Sequence, residues 1–394
     1  GGPDPATEIF MQGAVHTMEP QLVGYYKEYL QDFGYTEEEI DAMGEPLVIE
    51  YTSFRAAQIM FGIGILLILL AVFLIALPYM LNSQYLVTVA VKIGSYTLLA
   101  LGLNVLTGYT GLVSLGHAGF VAIGAYTSSL CAVKLGMNFF ASMILGMVVA
   151  GLAGVLLGLP TMRVTGTYLS IITLGFGEII KMIAMNWASV TNGTLGVKNI
   201  PRPSVFGYDL TIANNGLYYL MLVLVLVTTL FCIAVVKSKT GRAFQAIRAD
   251  ELASTMMGIN ITSYKILSFV ISACICALGG ALYASLIGYI DPNTFNFDVS
   301  TLILSIVILG GMGTIRGMFV GAAILIAFPE VSRFLMEYRF VLYGVILVLM
   351  MRFRPQGIMG WKSTMPYRLS KNVKEQVEKM DKNAPLNLLN ETKG

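Results

Sequence analysis

GLYYLMLVLVLVTTLFCIAVVKSKTGRAFQAIRADELASTMMGI, residues 216–259, opens on an apolar run of membrane length and then turns abruptly polar. A second apolar run follows at 266–287. Spanning a bilayer as a helix takes roughly 20 mostly apolar residues, so the chain here leaves the membrane for a short charged loop and re-enters it. GRAFQAIRADELASTMMGI, residues 241–259, is helix-prone and of mixed charge. Such a loop is a handle for a soluble partner.

The same pattern extends along the chain. Of 394 residues, 56% are hydrophobic and 12% charged, about half the charged share of a soluble domain. The chain therefore reads as an all-α integral membrane protein. About ten transmembrane spans are expected, at 59–80, 86–107, 112–133, 138–160, 164–186, 216–236, 266–287, 299–313, 317–333 and 339–352. The short pair 299–313 and 317–333 has a second reading, a hairpin entering from one side. Split after the fifth, the spans give five beginning inside and five beginning outside, the arithmetic of an inverted repeat.

Charge sets the orientation. The loop from 237 to 265 carries Lys237, Lys239, Arg242, Arg248 and Lys265, and short basic loops stay cytoplasmic. Parity then places both termini in the cytoplasm and 187–215 outside. Residues 1–58 form an acidic appendage, eleven carboxylates against Lys27 and Arg55, with no signal-peptide pattern. Within it YYKEYLQDFGYTEEEIDAM, residues 25–43, predicts a helical hairpin broken at Gly34. The transmembrane body covers 59–354, with the loop 237–265 inside it, and a polar tail covers 355–394.

Glycine concentrates in TGYTGLVSLGHAGFVAIGAY, 107–126, and LGGMGTIRGMFVGAA, 309–323. Close helix packing is one reading; paired interruptions beside a midplane pathway are the other. Glu178 and Lys181, three apart on one helix face, stand either as a structural ion pair or as pathway lining. Lys92 is expected to snorkel toward the interface. The lone membrane histidine, His117, reads first as hydrogen-bonded packing rather than a proton relay. Asn104, Ser114, His117, Thr173 and Glu178 are the candidate pathway residues, and their sparse charge favours a zwitterion or small neutral solute. Cys131, Cys232, Cys274 and Cys276 lie in apolar runs without ligand spacing and read as small packing residues. The sequence holds no phosphate loop, dinucleotide fingerprint or HExxH, so neither an enzyme nor a cofactor is expected, and an energy source must come from elsewhere.

Seven motifs then point to one family: LLALGLNVLTGYTGLVSLGHAGFVAIGAY (98–126), RVTGTYLSIITLGFGEI (163–179), TNGTLGVKNIP (191–201), SKTGRAFQAIRADELASTMMGI (238–259), GGALYA (279–284), LGGMGTIRG (309–317) and RPQGIMG (354–360). Collinear over about residues 60–360, they resemble permease subunits of branched-chain amino acid ABC transporters, the M-type subunit in particular. That resemblance implies a bacterial inner-membrane importer. Its partners would be a homologous permease, two cytoplasmic ATP-binding subunits and an extracytoplasmic substrate-binding protein. It also implies one coupling helix from Arg242 to Gly258, with Arg248, Asp250 and Glu251 as polar contacts to the ATPase. The implied substrate is leucine, isoleucine or valine. Urea, an amide or another small polar solute is the alternative, as is an ion-coupled secondary transporter.

Overall fold

The computed structural model describes residues 83–161, 166–205 and 208–331 continuously, with 13–17, 47–51, 76–79 and scattered positions within 27–37, at 164 and within 344–360. The chain divides into two compact units, Gly1–Met80 and Leu81–Gly394.

In the first unit, β1 (Gly13–Thr17) pairs antiparallel with β2 (Leu47–Tyr51), Gly13 opposite Tyr51 and Thr17 opposite Leu47. The ribbon was not anticipated from sequence, although LVIEY has the β-branched character that suits a strand. The expected hairpin over 25–43 lies largely outside the described residues. Within it, Lys27, Gln31 and Glu37 are helical.

The second unit is mainly helical, with one short antiparallel pair, Ser204–Val205 against Tyr208–Asp209. Its elements are α1 (Gln84–Leu103), α2 (His117–Lys134), α3 (Phe139–Thr161), α4 (Thr167–Asn186), α5 (Gly216–Lys237), α6 (Lys239–Ala249), α7 (Glu251–Met256), α8 (Ile261–Ile287), α9 (Phe297–Gly310) and α10 (Ile315–Val331). Among the described residues, five helices are long and apolar enough to cross a membrane: Gln84–Tyr109, Phe139–Thr161, Tyr168–Asn186, Gly216–Lys237 and Ile261–Ile287. At 14 residues, α9 extends only about 21 Å, less than the roughly 30 Å of a hydrocarbon core. The candidate spans 59–80 and 339–352 lie mostly outside the described residues.

α8 is the central element, packed against α1, α2 and α3. Its small residues permit this. A Cβ on Gly280 would lie 2.3 Å from the Val121 carbonyl oxygen, and one on Gly124 of α2 would lie 2.3 Å from Ala277 Cα. These glycines belong to packing, because lipid gives no hydrophobic drive between helices and close backbone approach must supply it. The four cysteines are free, and Cys276 Sγ points to the Leu99 carbonyl at 3.7 Å as a small core residue.

The chain departs from the sequence expectation between α1 and α2. The span expected at 112–133 starts as helix only at His117. Upstream, α1 widens into a π-helix over Asn104–Tyr109 and the chain is non-helical from Thr110 to Gly116.

Candidate functional site

A broken helix buried in protein must place its freed backbone groups. At 110–116 they can be followed individually. Thr110 Oγ1 donates to the Val105 carbonyl (3.2 Å) and Leu112 N–H to that of Leu106 (3.2 Å). Thr107 Oγ1 and Ser170 Oγ donate to the carbonyls of Leu112 and Val113, both at 3.0 Å. Leu115 N–H donates to Thr173 Oγ1 (3.0 Å), and Ala118 N–H to Ser300 Oγ (2.9 Å). His117 bonds Ser114 Oγ through Nδ1 (2.8 Å) and Ser272 Oγ through Nε2 (2.7 Å). The break is thus tied to α1, α4, α8 and α9. Ser114, His117 and Thr173, all buried, are brought together here as supports of the backbone.

Asn104 performs the same work at the second glycine cluster. Its Oδ1 accepts from Gly313 N–H (2.8 Å) and its Nδ2 donates to the Thr314 carbonyl (3.4 Å). Gly311 and Gly313, at φ +111° and +83°, turn the chain between α9 and α10 in a conformation L side chains resist. Gly108 lets that turn approach, since a Cβ there would lie 2.5 Å from Gly313 N. The RPQGIMG motif closes on the same end of α9, with Ile358 N–H donating to the Leu309 carbonyl (2.8 Å) and Met359 N–H to that of Gly310 (3.1 Å). The two glycine clusters, about 200 residues apart in sequence, therefore meet in space.

The charged loop reaches this junction. Arg248 Nη1 donates to the Gly108 carbonyl, and its side-chain carbons cover Gly111, where a Cβ would lie 3.0 Å from Arg248 Cγ. Beside it opens a cavity of about 570 Å³ bounded by Thr110–Val113, Ser170 and residues 247–251.

The expected single helix from Arg242 to Gly258 is corrected to two. Asp250 is extended (φ −161°, ψ 117°), and its carboxylate accepts from Ala253 N–H (3.0 Å), ending α6 and starting α7. Asp at this position competes with the helix it would otherwise continue. Gly258, at φ +79°, ends α7, with Ile259 N–H donating to the Ser254 carbonyl (3.1 Å). Glu251 Oε1 pairs with Lys265 Nζ (2.6 Å), and Arg242 Nη1 donates to the Lys237 carbonyl (3.2 Å). These side chains are all engaged within the chain. The loop instead presents Leu252, Met256 and Met257, 70%, 79% and 82% exposed. Sequence reasoning passed over these three, though Leu252 and Met256, four apart in a polar stretch, were the available signal.

Glu178 borders a small space with Leu115, Ala118 and Ser300 beside the break. Its carboxylate lies 3.7 Å from Lys181 Nζ and its side chain is 41% exposed. It belongs to an outward stripe on α4 with Tyr168, Ile171, Gly175, Met182 and Asn186. Lys92 is paired across helices. Its Nζ meets Glu330 Oε1 of α10 at 2.9 Å, and Tyr85 OH donates to the other oxygen at 2.5 Å. Among the described residues, no group of three His, Cys, Asp or Glu could hold a metal ion.

A sequence profile described as branched-chain amino acid transport system / permease component matches residues 85–351. The high-affinity branched-chain amino acid transport system permease protein LivM of Salmonella typhimurium is 36% identical over 315 residues, covering 74% of each chain, and LivM of Escherichia coli gives the same figures. LivH of Escherichia coli is 27% identical over 290 residues, covering 68% of this chain and 93% of that one. A solved structure, PsaBC from Streptococcus pneumoniae in complex with Fab, aligns at 12% identity with a TM-score of 0.40 over 73% of this chain and 97% of that chain, too slight a likeness to build on. With seven collinear motifs, a profile match across most of the helical unit and this identity to LivM, the chain belongs to the branched-chain amino acid transport permease family.

Proposed function

We propose that this chain is one of two homologous permeases in an ABC importer that carries a branched-chain amino acid across the bacterial inner membrane. ATP hydrolysis resides in two cytoplasmic partner subunits, and an extracytoplasmic binding protein delivers the substrate. Both termini and the 237–265 loop face the cytoplasm. Residues 1–58 are a cytoplasmic appendage and 355–394 a cytoplasmic tail. That the chain matches both LivM and LivH supports a pair of related permeases.

The observation that carries this reading is the loop's outward surface. Leu252, Met256 and Met257 are nearly bare on a segment where Arg242, Arg248, Asp250 and Glu251 already have partners within the chain. Exposed apolar groups clustered on a polar loop mark a protein contact, and methionine suits a surface that must adapt to its partner. The ATPase groove would receive these three rather than Arg248, Asp250 and Glu251.

The pathway runs along α4. The outward residues of α3 (Ile144, Val148, Leu152, Leu156) and of α5 (Val223, Leu226, Val227, Leu230) are apolar, as lipid requires. The outward stripe of α4 carries Glu178, Asn186 and the open Gly175, about whose Cβ position no atom lies within 4 Å. Charge at membrane depth faces protein or water, so this face lines the space shared with the second permease. Asn104, Ser114, His117 and Thr173 act one layer behind it, holding the break.

Purification from the native membrane in gentle detergent tests the reading. The chain should co-purify with an ATP-hydrolysing subunit and a second permease, and reconstituted vesicles should take up leucine only with ATP and binding protein. Flux through the purified chain alone, driven by an ion gradient, would overturn it.

A further inference from the structure

Gly108 lies in the last turn of the π-helical end of α1, where carbonyls have no partner within their own helix. Neighbouring carbonyls are met locally, by Thr110 for Val105 and by Leu112 for Leu106. Gly108 is met from outside, by Arg248 of the loop, 140 residues away in sequence. The guanidinium arrives where the helix carries its negative end, a favourable place for a cation. A Cβ on Gly313 would lie 3.0 Å from the same Nη1, so one side chain touches both glycine breaks. Arg248 stands in the last turn of α6, and two residues on Asp250 opens the kink into α7 and its bare apolar residues.

We propose that Arg248 is the positioning residue that links movement of the loop to the helix breaks. In the state described here it holds the end of α1 against the α9–α10 turn. When the ATP-hydrolysing partner draws α7 aside, α6 withdraws the guanidinium from Gly108, and the end of α1 is freed to shift against the α9–α10 turn. Arginine suits this because its several N–H donors form a rigid fork, leaving donors toward the cavity while one is bound. The geometry turns Arg248 from a contact with the ATPase into an internal link one step behind that contact.

The proposal rests on the importer reading, and its test separates the two. The assembled complex, reconstituted in vesicles, is measured for amino acid molecules imported per ATP hydrolysed. In Arg248→Gln, basal hydrolysis should remain within about twofold while the transport-to-hydrolysis ratio falls about tenfold, a size typical of a broken coupling. Arg248→Lys, which keeps one charged donor, should fall between. A residue that merely capped α1 would lower complex yield, hydrolysis and transport together and leave the ratio unchanged; that result overturns the proposal. Should Arg248→Gln fail to assemble, Arg248→Lys decides: a wild-type ratio overturns the link, and a reduced ratio supports it. If the wild-type complex shows no ATP-dependent import, the importer reading falls and Arg248's role falls with it.

Discussion

Lys265 is only 3% exposed, and its ammonium is met by Glu251 Oε1 at 2.6 Å. Breaking such a pair from one side leaves a charge buried without its counter-ion, which costs more than the pair itself contributes. Glu251→Gln should therefore lower thermal stability by ~1–3 kcal/mol, followed as the unfolding midpoint in detergent, and adding Lys265→Met should recover most of the loss. Equal midpoints for wild type and the single variant would show that the pair contributes nothing. His117 makes the opposite kind of statement. With both ring nitrogens bonded to serines, it serves as a cross-brace between the break and α8. His117→Asn should lower the midpoint by about the worth of one hydrogen bond, ~1 kcal/mol, and leave the pH profile of uptake in place. A displaced profile would mean that the ring titrates during transport. The sequence pointed to bonded packing for this histidine, and its partner Ser272, 155 residues on, was not legible because nothing local specifies it. Lys92 taught the same lesson with Glu330.

At the scale of elements, glycine holds two jobs that look alike in sequence. Gly280 and Gly124 let α2 and α8 touch backbone to backbone, whereas Gly175 faces open space on α4. Gly280→Val should force α2 from α8 and destabilise by ~1–3 kcal/mol or more. Gly175→Ala should be neutral to stabilising by up to ~1 kcal/mol, as replacing glycine within a helix generally is. A Gly280→Val protein as stable as wild type would remove close approach as the reason for that glycine. Hydropathy placed the long helices to within a few residues, because length and apolarity are local properties. It missed the 110–116 break because leucine, valine and glycine stay apolar whether helical or not, and Ser170, Thr173, Ser272 and Ser300, which help to make the break tolerable, lie on other helices. The kink at Asp250 was legible in principle, since Asp before Glu-Leu-Ala is a helix start. Its two short helices put Leu252, Met256 and Met257 outward, and Leu252→Ser with Met256→Ser should abolish co-purification of the ATP-hydrolysing subunit without lowering the yield of the permease. Undiminished co-purification would move the docking site elsewhere.

At the scale of the molecule, three helices, α3, α4 and α5, expose a broad face, and they need not meet the same surroundings. Two of those faces are apolar and suit lipid; the third, apolar at Ile171, Ile179 and Ile183, also carries Glu178 and Asn186. Sequence alone showed Glu178 at membrane depth, but only the packing shows that it looks outward from the unit rather than into the core. If that face borders a water-filled pathway between two permeases, cysteines placed on it will meet aqueous reagents. In the assembled complex with its native cysteines replaced, Met182→Cys and Gly175→Cys should react with a membrane-impermeant thiol reagent at rates that change on adding ATP and loaded binding protein. Leu226→Cys on α5 and Leu152→Cys on α3 should stay unreactive, because a thiol in hydrocarbon neither ionises nor meets a charged reagent. Glu178→Leu should leave assembly intact and cut uptake about tenfold or more, the consequence of removing a charged group that a pathway uses. Equal reactivity on all three helices would mean the faces are not distinguished by their surroundings. Protection of Met182→Cys and Gly175→Cys in every state would make the α4 stripe a dry contact between permeases, with the solute passing elsewhere.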